Sequence, residues 1–500
     1  MIKVRMQKAK IIKISKQTKE KVASLLKTIQ QQTNLSFPQV MEKFYQNSGS
    51  LLPRRLQEKM FNISPGTSRV KAFKGFLSLL ADDIKTHKYY REYSSSQGEY
   101  YVREVIAAFE NIKLKNQPKY DPSDICITDG ATGSISQIFE YFKKTFPNGE
   151  VLIPVPSYYI FVFTAKYYCL SYKEILPSIK PSSGKSIFTG KDILDNITDK
   201  TKMIILNQPH NPTGYIFTNE EIAQILLVTK RKGILVLADD LFFDLIFKNP
   251  HHFKTVDQLA LENGALENVV TVKAYSKNRN LPGFRIGYLF SKNKKLINFL
   301  SLSLEQRVFF SGGSNFRSVI IMDCLFQSLA HMERKYPKVN HSELIKKVKN
   351  IFNFCEFIRE LPERKISTQY TQFKSYMNKT MSFYSKNYDL IEKILKNDLE
   401  ILLPKESAFN TFVKISGLDK VNIFDFSLNL FLSSGIMSDA GPSFGLRQSD
   451  WEQNKNLGYW VRITFSAKPS DLKNGLQRLS SFKREYLLNP ERFIHTNLRF

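Results

Sequence analysis

Short apolar segments alternate with helical segments between residues 125 and 290, and this alternation constrains the fold more than any other feature. The apolar segments are ICIT (125–128), VLIPV (151–155), MIILN (203–207), ILVLAD (234–239), VVTVKAY (269–275) and IGYLF (286–290). Continuous apolar strands separated by helices predict an α/β fold with a mainly parallel sheet covered by helices on both faces. Ligands of such sheets bind at the carboxyl ends of the strands, so functional residues are expected there.

The rest of the chain divides into regions of different pattern. We expect a basic helical N-terminal extension or arm over residues 1–65 and a large α/β domain over 66–320. Long amphipathic helices, Lys-rich near 344–395, predict a helical insertion and an interdomain helix over 321–395. A mixed pattern predicts a smaller α/β domain over 396–500, with the strand WVRITFS (460–466) and a final helix after Pro469.

The formal net charge of +27 raises the question of nucleic-acid binding. The basic residues are spread over the whole length and interleaved with acids, and only residues 1–19 form a basic block, before Glu20. Such a distribution is typical of a solvated surface or a basic arm. We therefore expect no nucleic-acid partner.

Three features that the sequence lacks bear on the cellular location of the protein and on metal binding. It has no run of 18 apolar residues, which predicts no membrane-spanning helix, and its start lacks the apolar stretch of a signal peptide. The four cysteines show no CxxC or finger-like spacing, which favours reduced thiols and no metal site; they are Cys126, Cys169, Cys324 and Cys355. We expect a cytoplasmic protein.

The residues after the first apolar segment are candidates for an anion site. Gly130, Ala131 and Thr132 open a predicted helix directly after ICIT and Asp129. Small residues at a helix start allow backbone N–H groups to close around an anion, and a threonine adds a hydroxyl. An ordinary tight strand–helix turn would have the same sequence, so the segment is weak evidence alone.

Three further strand ends carry polar groups. Asn211 lies in a loop made rigid by two prolines and a glycine, and Asp239 ends an apolar strand, where an unpaired carboxylate is costly to bury. Ser276 and Lys277 follow the strand VVTVKAY. A lysine at such a strand end is a typical nucleophile toward a carbonyl cofactor, and Arg285, eight residues later, suits a phosphate.

The order and spacing of these residues resemble those of the fold-type I, class I/II aminotransferases, which use pyridoxal 5′-phosphate (PLP). The resemblance rests on NPTG (211–214), Asp239, the block SK…LPGFRIGY (276–288) and RITFS (462–466), and it covers roughly residues 90–310 and 400–485. It implies the PLP-dependent transferase fold type I, with a seven-stranded type of sheet in the large, PLP-binding domain and a smaller α/β domain.

The resemblance also implies roles for individual residues. Lys277 would form the Schiff base with PLP and carry a proton, Asp239 would pair with the ring nitrogen, and Asn211 would contact the phenolic oxygen and the substrate. Tyr158, in PSYY, would stack on the ring as a third catalytic residue. The phosphate would be held by Gly130, Ala131, Thr132, Ser276 and Arg285.

One arginine and one tyrosine match family residues that contact the substrate and a second subunit. Arg462 would bind the substrate α-carboxylate, near the turn GPSFG (441–445). Tyr93 would reach the phosphate of the neighbouring subunit, which implies a homodimer.

Two positions depart from the family pattern. Phe242 stands where the family usually has a tyrosine that donates to the phenolic oxygen, and Ala274 stands where a phosphate-binding serine or threonine is common. Loss of the tyrosine donor would raise the pKa of the Schiff base.

The resemblance implies an aminotransferase that moves an amino group between an L-amino acid and a 2-oxo acid through a Lys277 Schiff base. The two departures keep open a PLP-dependent lyase, decarboxylase, cyclase or oxidase on the same scaffold. A PLP-binding transcription regulator is a third possibility, but the segment before Tyr93 shows no helix–turn–helix spacing and Arg462 is retained.

Overall fold

The computed structural model describes residues 11–32, 35–87, 91, 93–114, 119–177, 189–307, 315–453, 457–496 and 498–500. Residues 1–10 of the basic block therefore lie outside the described residues. The strands are β1 (Phe61–Asn62), β2 (Ile125–Asp129), β3 (Glu150–Pro154), β4 (Ser171–Ile175), β5 (Thr201–Asn207), β6 (Leu235–Asp239), β7 (Val269–Ala274), β8 (Ile286–Ser291), β9 (Leu399–Leu402), β10 (Asn410–Ile415), β11 (Ile436–Met437) and β12 (Trp460–Thr464).

Helices separate most of these strands. They are α1 (Lys16–Gln30), α2 (Phe37–Asn47), α3 (Arg54–Gln57), α4 (Lys74–Asp82), α5 (Tyr100–Ile112), α6 (Gly130–Thr145), α7 (Ile160–Tyr167), α8 (Gly190–Leu194), α9 (Asn219–Lys232), α10 (Val256–Glu262), α11 (Tyr275–Asn278), α12 (Lys294–Arg307), α13 (Arg317–Lys335), α14 (His341–Ile351), α15 (Glu356–Glu360), α16 (Glu363–Leu395), α17 (Ile423–Ser434), α18 (Gln448–Gln453) and α19 (Pro469–Leu488).

The central sheet has seven strands in the order β2-β8-β7-β6-β5-β3-β4. Strands β4, β3, β5, β6 and β7 are parallel, and β8 is antiparallel to both β7 and β2. The expected mainly parallel, seven-stranded α/β sheet is therefore confirmed. The strands β5 to β8 are almost entirely buried, because helices pack on both faces of the sheet.

The six apolar segments all form strands, with bounds that differ by one or two residues from the sequence patterns. The seventh strand, β4, is not among them because its sequence, SYKEI, is polar. Strand β4 lies at the edge of the sheet, where one side has no neighbouring strand among the described residues and most side chains are partly accessible.

A second sheet lies near the C-terminus. It has three antiparallel strands in the order β12-β10-β9, and we call it the C-terminal sheet. Helix α16 is joined to the residue after β12 by Asn387, whose Nδ2 donates to the Phe465 carbonyl, and α19 contacts both α16 and α17. The predicted strand over 460–466 is β12, and the predicted final helix is α19, which begins at Pro469 itself.

The N-terminal extension packs on the C-terminal part of the chain. Strand β1 pairs in parallel with β11, and the backbone N–H of Ile12 donates to the carbonyl of Ser433 at 3.1 Å. Ser36 is the N-cap of helix α2 and forms a capping box with Gln39. Its buried Phe37 contacts the rings of Phe424 and Phe500 edge-on. None of the helices within the described ranges combines the length and apolar character required to cross a membrane.

Candidate active site

The carboxyl ends of β5, β6 and β7 bring three polar residues to one edge of the sheet. Asn207 ends β5, Asp239 ends β6 directly beside it, and Lys277 lies in α11, which follows β7 without a loop. Since parallel strands end at the same edge, the predicted convergence of Asp239 and Lys277 has a simple topological cause.

Asp239 is a buried carboxylate that is only half satisfied. Its Oδ2 accepts a hydrogen bond from Asn207 Nδ2 at 2.9 Å, whereas its Oδ1 is buried and has no partner among the described residues. Burial raises the pKa of Asp239 to about 7, against the opposing effect of the Lys277 ammonium. Asn207 also accepts from the Asn211 backbone N–H at 2.6 Å, which links Asp239 to the NPTG loop.

The surroundings of Lys277 favour the neutral form of its amine. Burial lowers its pKa to about 8, with a further lowering by Arg462 and Arg285 and an opposite effect from Asp239. A substantial fraction of the amine is therefore neutral at mildly alkaline pH. Its Nζ donates to the carbonyl of Gly66 at 2.5 Å.

The predicted anion site, at the start of α6, has Arg285 directly beside it. Gly130 has a φ of +70°, and a side chain added there would approach Arg285 Nη2 to 2.9 Å. Arg285 itself has a left-handed φ of +54°, a backbone conformation that costs about 1–2 kcal/mol outside glycine. This conformation holds its guanidinium over the helix N-terminus, where Nη2 donates to the Asp129 carbonyl at 3.1 Å.

Arg462 reaches the same region from β12. Its Nη1 donates to Asn211 Oδ1 at 3.2 Å, and its Nη2 donates to the Ser64 carbonyl at 2.6 Å and to Asp439 Oδ2 at 2.9 Å. The Phe444 ring lies 4.9 Å from its guanidinium carbon. Arg462 is buried, so these contacts fix a cation beside the NPTG loop.

The NPTG loop is itself attached to the C-terminal part of the chain. Asn410 Nδ2 donates to the Pro212 carbonyl, and Ser407 Oγ donates to the Gly214 carbonyl, both at 2.8 Å. Gly214 has a φ of +71°, and a side chain there would approach the Asn410 carbonyl to 3.0 Å. The site therefore lies where the C-terminal sheet meets the central sheet.

The remaining predicted site residues have the following positions in the structure. Tyr158 packs against Tyr159 and Phe161, with ring centroids 4.8 and 6.2 Å away. Ser276 is buried in α11, next to Lys277. Ala131 and Thr132 follow Gly130 in the first turn of α6. Tyr93 is 80% exposed.

The two departures are buried in the protein. Phe242 is 3% exposed and packs edge-on against Phe409, with ring centroids 5.5 Å apart, so this position contributes packing. Ala274 is also buried, at the end of β7.

A buried ionic cluster lies close behind the reactive strand ends. Lys273, four residues before Lys277, donates to both carboxylate oxygens of Glu110 at 3.0 and 2.9 Å, and Tyr288 also donates to Glu110 at 2.7 Å. Burial alone would lower the pKa of Lys273, but the Glu110 and Asp240 carboxylates raise it above its usual value. The cation therefore stays charged inside the protein.

The turn after Lys277 is fixed in a similar way. Arg279 Nε pairs with Asp323 and its Nη2 pairs with Asp244, each at 2.5 Å. Arg279 is 1% exposed. These pairs tie α11, which carries Lys277, to α13 and to the segment after β6.

Sequence reasoning missed four residues that contact the predicted ones. They are Ser64, Gly66, Asn207 and Asp439. Asn207 could have been found because it lies four residues before Asn211 at the end of an apolar strand. The other three contact Arg462 or Lys277 across more than 20 residues of sequence, and no local pattern marks them.

The residues present fit pyridoxal 5′-phosphate. A buried acceptor with a free oxygen, Asp239 Oδ1, suits a protonated ring nitrogen. The start of α6 with Arg285 suits a phosphate group, and Lys277 offers an amine near both.

Comparison with known proteins agrees with this geometry. The family model "Aminotransferase class I and II" matches residues 70–479. An aspartate aminotransferase of Sulfolobus acidocaldarius is 27% identical over 414 residues, which are 78% of this chain and 82% of that protein.

Solved structures share the fold. The aspartate aminotransferase of Rhizobium meliloti superposes with a TM-score of 0.66 at 19% identity, over 91% of this chain and 98% of that one. An aromatic aminotransferase of Pyrococcus horikoshii gives 0.63 at 18% identity, over 87% and 100%.

Proposed function

The chain belongs to the class I and II aminotransferases, PLP-dependent enzymes that move an amino group between an amino acid and a 2-oxo acid, and from this premise we propose which residues carry the reaction. Lys277 anchors the cofactor covalently and moves the proton. Asp239 holds the ring nitrogen. Arg462 binds the substrate carboxylate.

One observation carries this proposal: the buried Asp239, which interacts electrostatically with the amine of Lys277, has one carboxylate oxygen without a hydrogen-bond partner among the described residues. When bound, PLP supplies an electron-withdrawing ring that stabilises negative charge at the substrate α-carbon. An acid held at the ring nitrogen keeps the ring in its electron-accepting form. Asn207 orients that acid through its 2.9 Å hydrogen bond.

Lys277 is suited to proton transfer at the α-carbon. Its pKa of about 8 is close to neutral pH, so the amine can both accept a proton and return it. The Gly66 carbonyl, 2.5 Å from Nζ, orients the amine toward the side of the site where Arg462 lies.

Arg462 and Asn211 orient the substrate. The guanidinium offers a fork of donors to a carboxylate, and Asn211 links it to the loop beside Asp239. Arg285, the start of α6 and Ser276 hold the phosphate, and Tyr158 covers the ring. This arrangement fixes both ends of the reacting system, so the α-carbon is presented to Lys277.

Two further parts of the proposal concern the whole protein. We propose a homodimer in which the exposed Tyr93 contacts the partner's phosphate site, and a cytoplasmic location, which the free cysteines among the described residues support. Nothing in the described residues favours a lyase, decarboxylase, cyclase or oxidase over amino-group transfer.

The test is the covalent link. Purified protein supplemented with PLP is reduced with borohydride, digested and examined by mass spectrometry. The cofactor mass is expected on Lys277, and Lys277→Ala is expected to lose both the adduct and amino-group transfer. Lys232→Ala, a change of a surface lysine on α9, serves as the control. An adduct that persists in Lys277→Ala would refute the assignment.

A further inference from the structure

We infer that the cleft between Tyr158 and helix α2 receives the side chain of the amino-acid substrate, and that it takes a large apolar, preferably aromatic, side chain. This inference rests on the proposed function, because it assumes that the substrate carboxylate lies on Arg462. It assigns to the N-terminal extension a direct part in substrate choice.

The walls of the cleft come from five parts of the chain, one of which is Glu174 of β4. Helix α2 and its cap contribute Ser36 and Pro38, and the end of β3 contributes Val155. The other walls are α7 with the residues just before it and the turn that begins at Gly441. Most of the lining side chains are apolar or aromatic: Pro38, Val155, Tyr158, Tyr159, Val162, Phe163, Pro442 and Phe444.

The cleft adjoins the proposed reaction site through one shared residue, Phe444. The Phe444 ring lines the cleft and also lies 4.9 Å from the Arg462 guanidinium carbon. The Ser157 backbone N–H donates to the Phe444 carbonyl at 2.8 Å, which holds Tyr158 next to the same turn. A substrate held by Arg462 at its carboxylate and by the cofactor at its α-carbon has this cleft as its neighbour.

The charges of the cleft disfavour an acidic side chain. Its cationic side chains among the described residues are Arg447 and Lys166, and both act on Glu174. Arg447 forms an ion pair with Glu174, whose side chain is only 12% exposed. A substrate carboxylate would have to displace this partly buried partner, whereas an aromatic ring only has to leave water.

Helix α2 lies outside the residues matched by the family model, which begins at residue 70. Its position is fixed by Phe37, which packs against Phe424 and Phe500 on the C-terminal part of the chain. The wall formed by Pro38 is therefore rigidly attached to the same part of the protein as Arg462.

The test measures the half-reaction of the holoenzyme with single amino acids, by the absorbance change of the cofactor. Phenylalanine is expected to exceed aspartate in kcat/KM by about ten-fold or more, because an apolar pocket discriminates by this order. In the same assay, 3-phenylpropionate is expected to inhibit more strongly than succinate. Preference for aspartate together with tighter succinate inhibition would overturn the inference.

A variant that fills the cleft gives a second measure. Val162→Trp is expected to lower kcat/KM for phenylalanine at least ten-fold and to leave alanine within about two-fold. Leu227→Trp, at an exposed position on α9, is the matched control. Equal effects on both substrates would contradict the inference. If the variant fails to fold, the inhibitor comparison on the wild type decides.

The assay distinguishes failure of the proposed function from failure of the inference about the cleft. If no amino acid of any class changes the cofactor absorbance, the proposed function fails. If aspartate reacts well and phenylalanine does not, amino-group transfer stands and the inference about the cleft fails.

Discussion

Asp439 and Arg462 are joined by two hydrogen bonds, one between backbones and one between side chains. The Arg462 N–H donates to the Asp439 carbonyl at 3.1 Å, and Arg462 Nη2 donates to Asp439 Oδ2 at 2.9 Å. Asp439 thus offers Arg462 a carboxylate of the protein's own at the place proposed for the carboxylate of the substrate. Two carboxylates facing one guanidinium repel each other, so the substrate has to compete with Asp439.

Asp439→Asn is therefore expected to lower KM for amino acids by about five- to ten-fold with little change in kcat, since an ionic competitor becomes a neutral one. Steady-state kinetics with several donors measure this. Asp419→Asn, which removes an acid paired with Lys414, is the control. An increase in KM would mean that Asp439 holds Arg462 in position and does not compete.

Arg285→Ala is expected to weaken PLP binding by about 10- to 100-fold, because a charge-assisted hydrogen bond to a phosphate contributes about 1.5–3 kcal/mol. Equilibrium dialysis of the cofactor measures the loss. Inorganic phosphate should inhibit cofactor uptake by the wild type more than by the variant. Equal inhibition of both would remove Arg285 from the phosphate site.

Asp239 is expected to make the cofactor-free protein less stable as the pH rises from about 4 to 7. Burial raises the pKa of Asp239 to about 7 in the folded state, above its usual value near 4, so the folded state binds the extra proton within this interval. Asp239→Asn removes this dependence. Its free energy of unfolding should exceed that of the wild type by about 1–4 kcal/mol at pH 8 and by less at pH 4, in urea titrations. A difference that does not vary with pH would contradict the shift.

Lys273→Met is expected to destabilise the protein by up to about 3–5 kcal/mol, because it removes one of the two buried lysines that pair with Glu110 and leaves only Lys113 on this carboxylate. The double variant Lys273→Met/Glu110→Gln should lose less than the sum of the single changes, since the stranded charge is gone. Urea unfolding measures the cycle. Lys232→Met breaks an exposed pair with Asp199 and should change stability by at most about 1 kcal/mol. Additive losses would show that Lys273 and Glu110 act independently.

The sequence predicts the parts of the fold whose pattern is local. The strands that end in Asn207, Asp239 and Ala274 are continuous apolar runs because they are buried on both faces, and parallel pairing then brings their ends together. Strand β4 escaped prediction because an edge strand can carry polar side chains. The match to residues 70–479 confirms the family resemblance that these strand ends suggested.

The parts of the site that escaped prediction depend on contacts between distant segments. Ser64 and Arg462 are 398 residues apart, yet Ser64 accepts from Arg462 Nη2 through its carbonyl and donates to the Arg462 carbonyl through its hydroxyl. Asp439 likewise has meaning only beside β12. Such pairings depend on how whole helices and strands pack together, so local sequence patterns do not predict them.

The packing of α2 against α17 and Phe500 has a consequence for folding during synthesis of the protein. Helix α2 packs against α17 and Phe500, so it cannot complete this packing until the ribosome has synthesised and released these much later residues. Its apolar face, with Phe37 and Phe44, remains without these partners during most of translation. The packing of α2 therefore forms late, after α17 and Phe500 have left the ribosome.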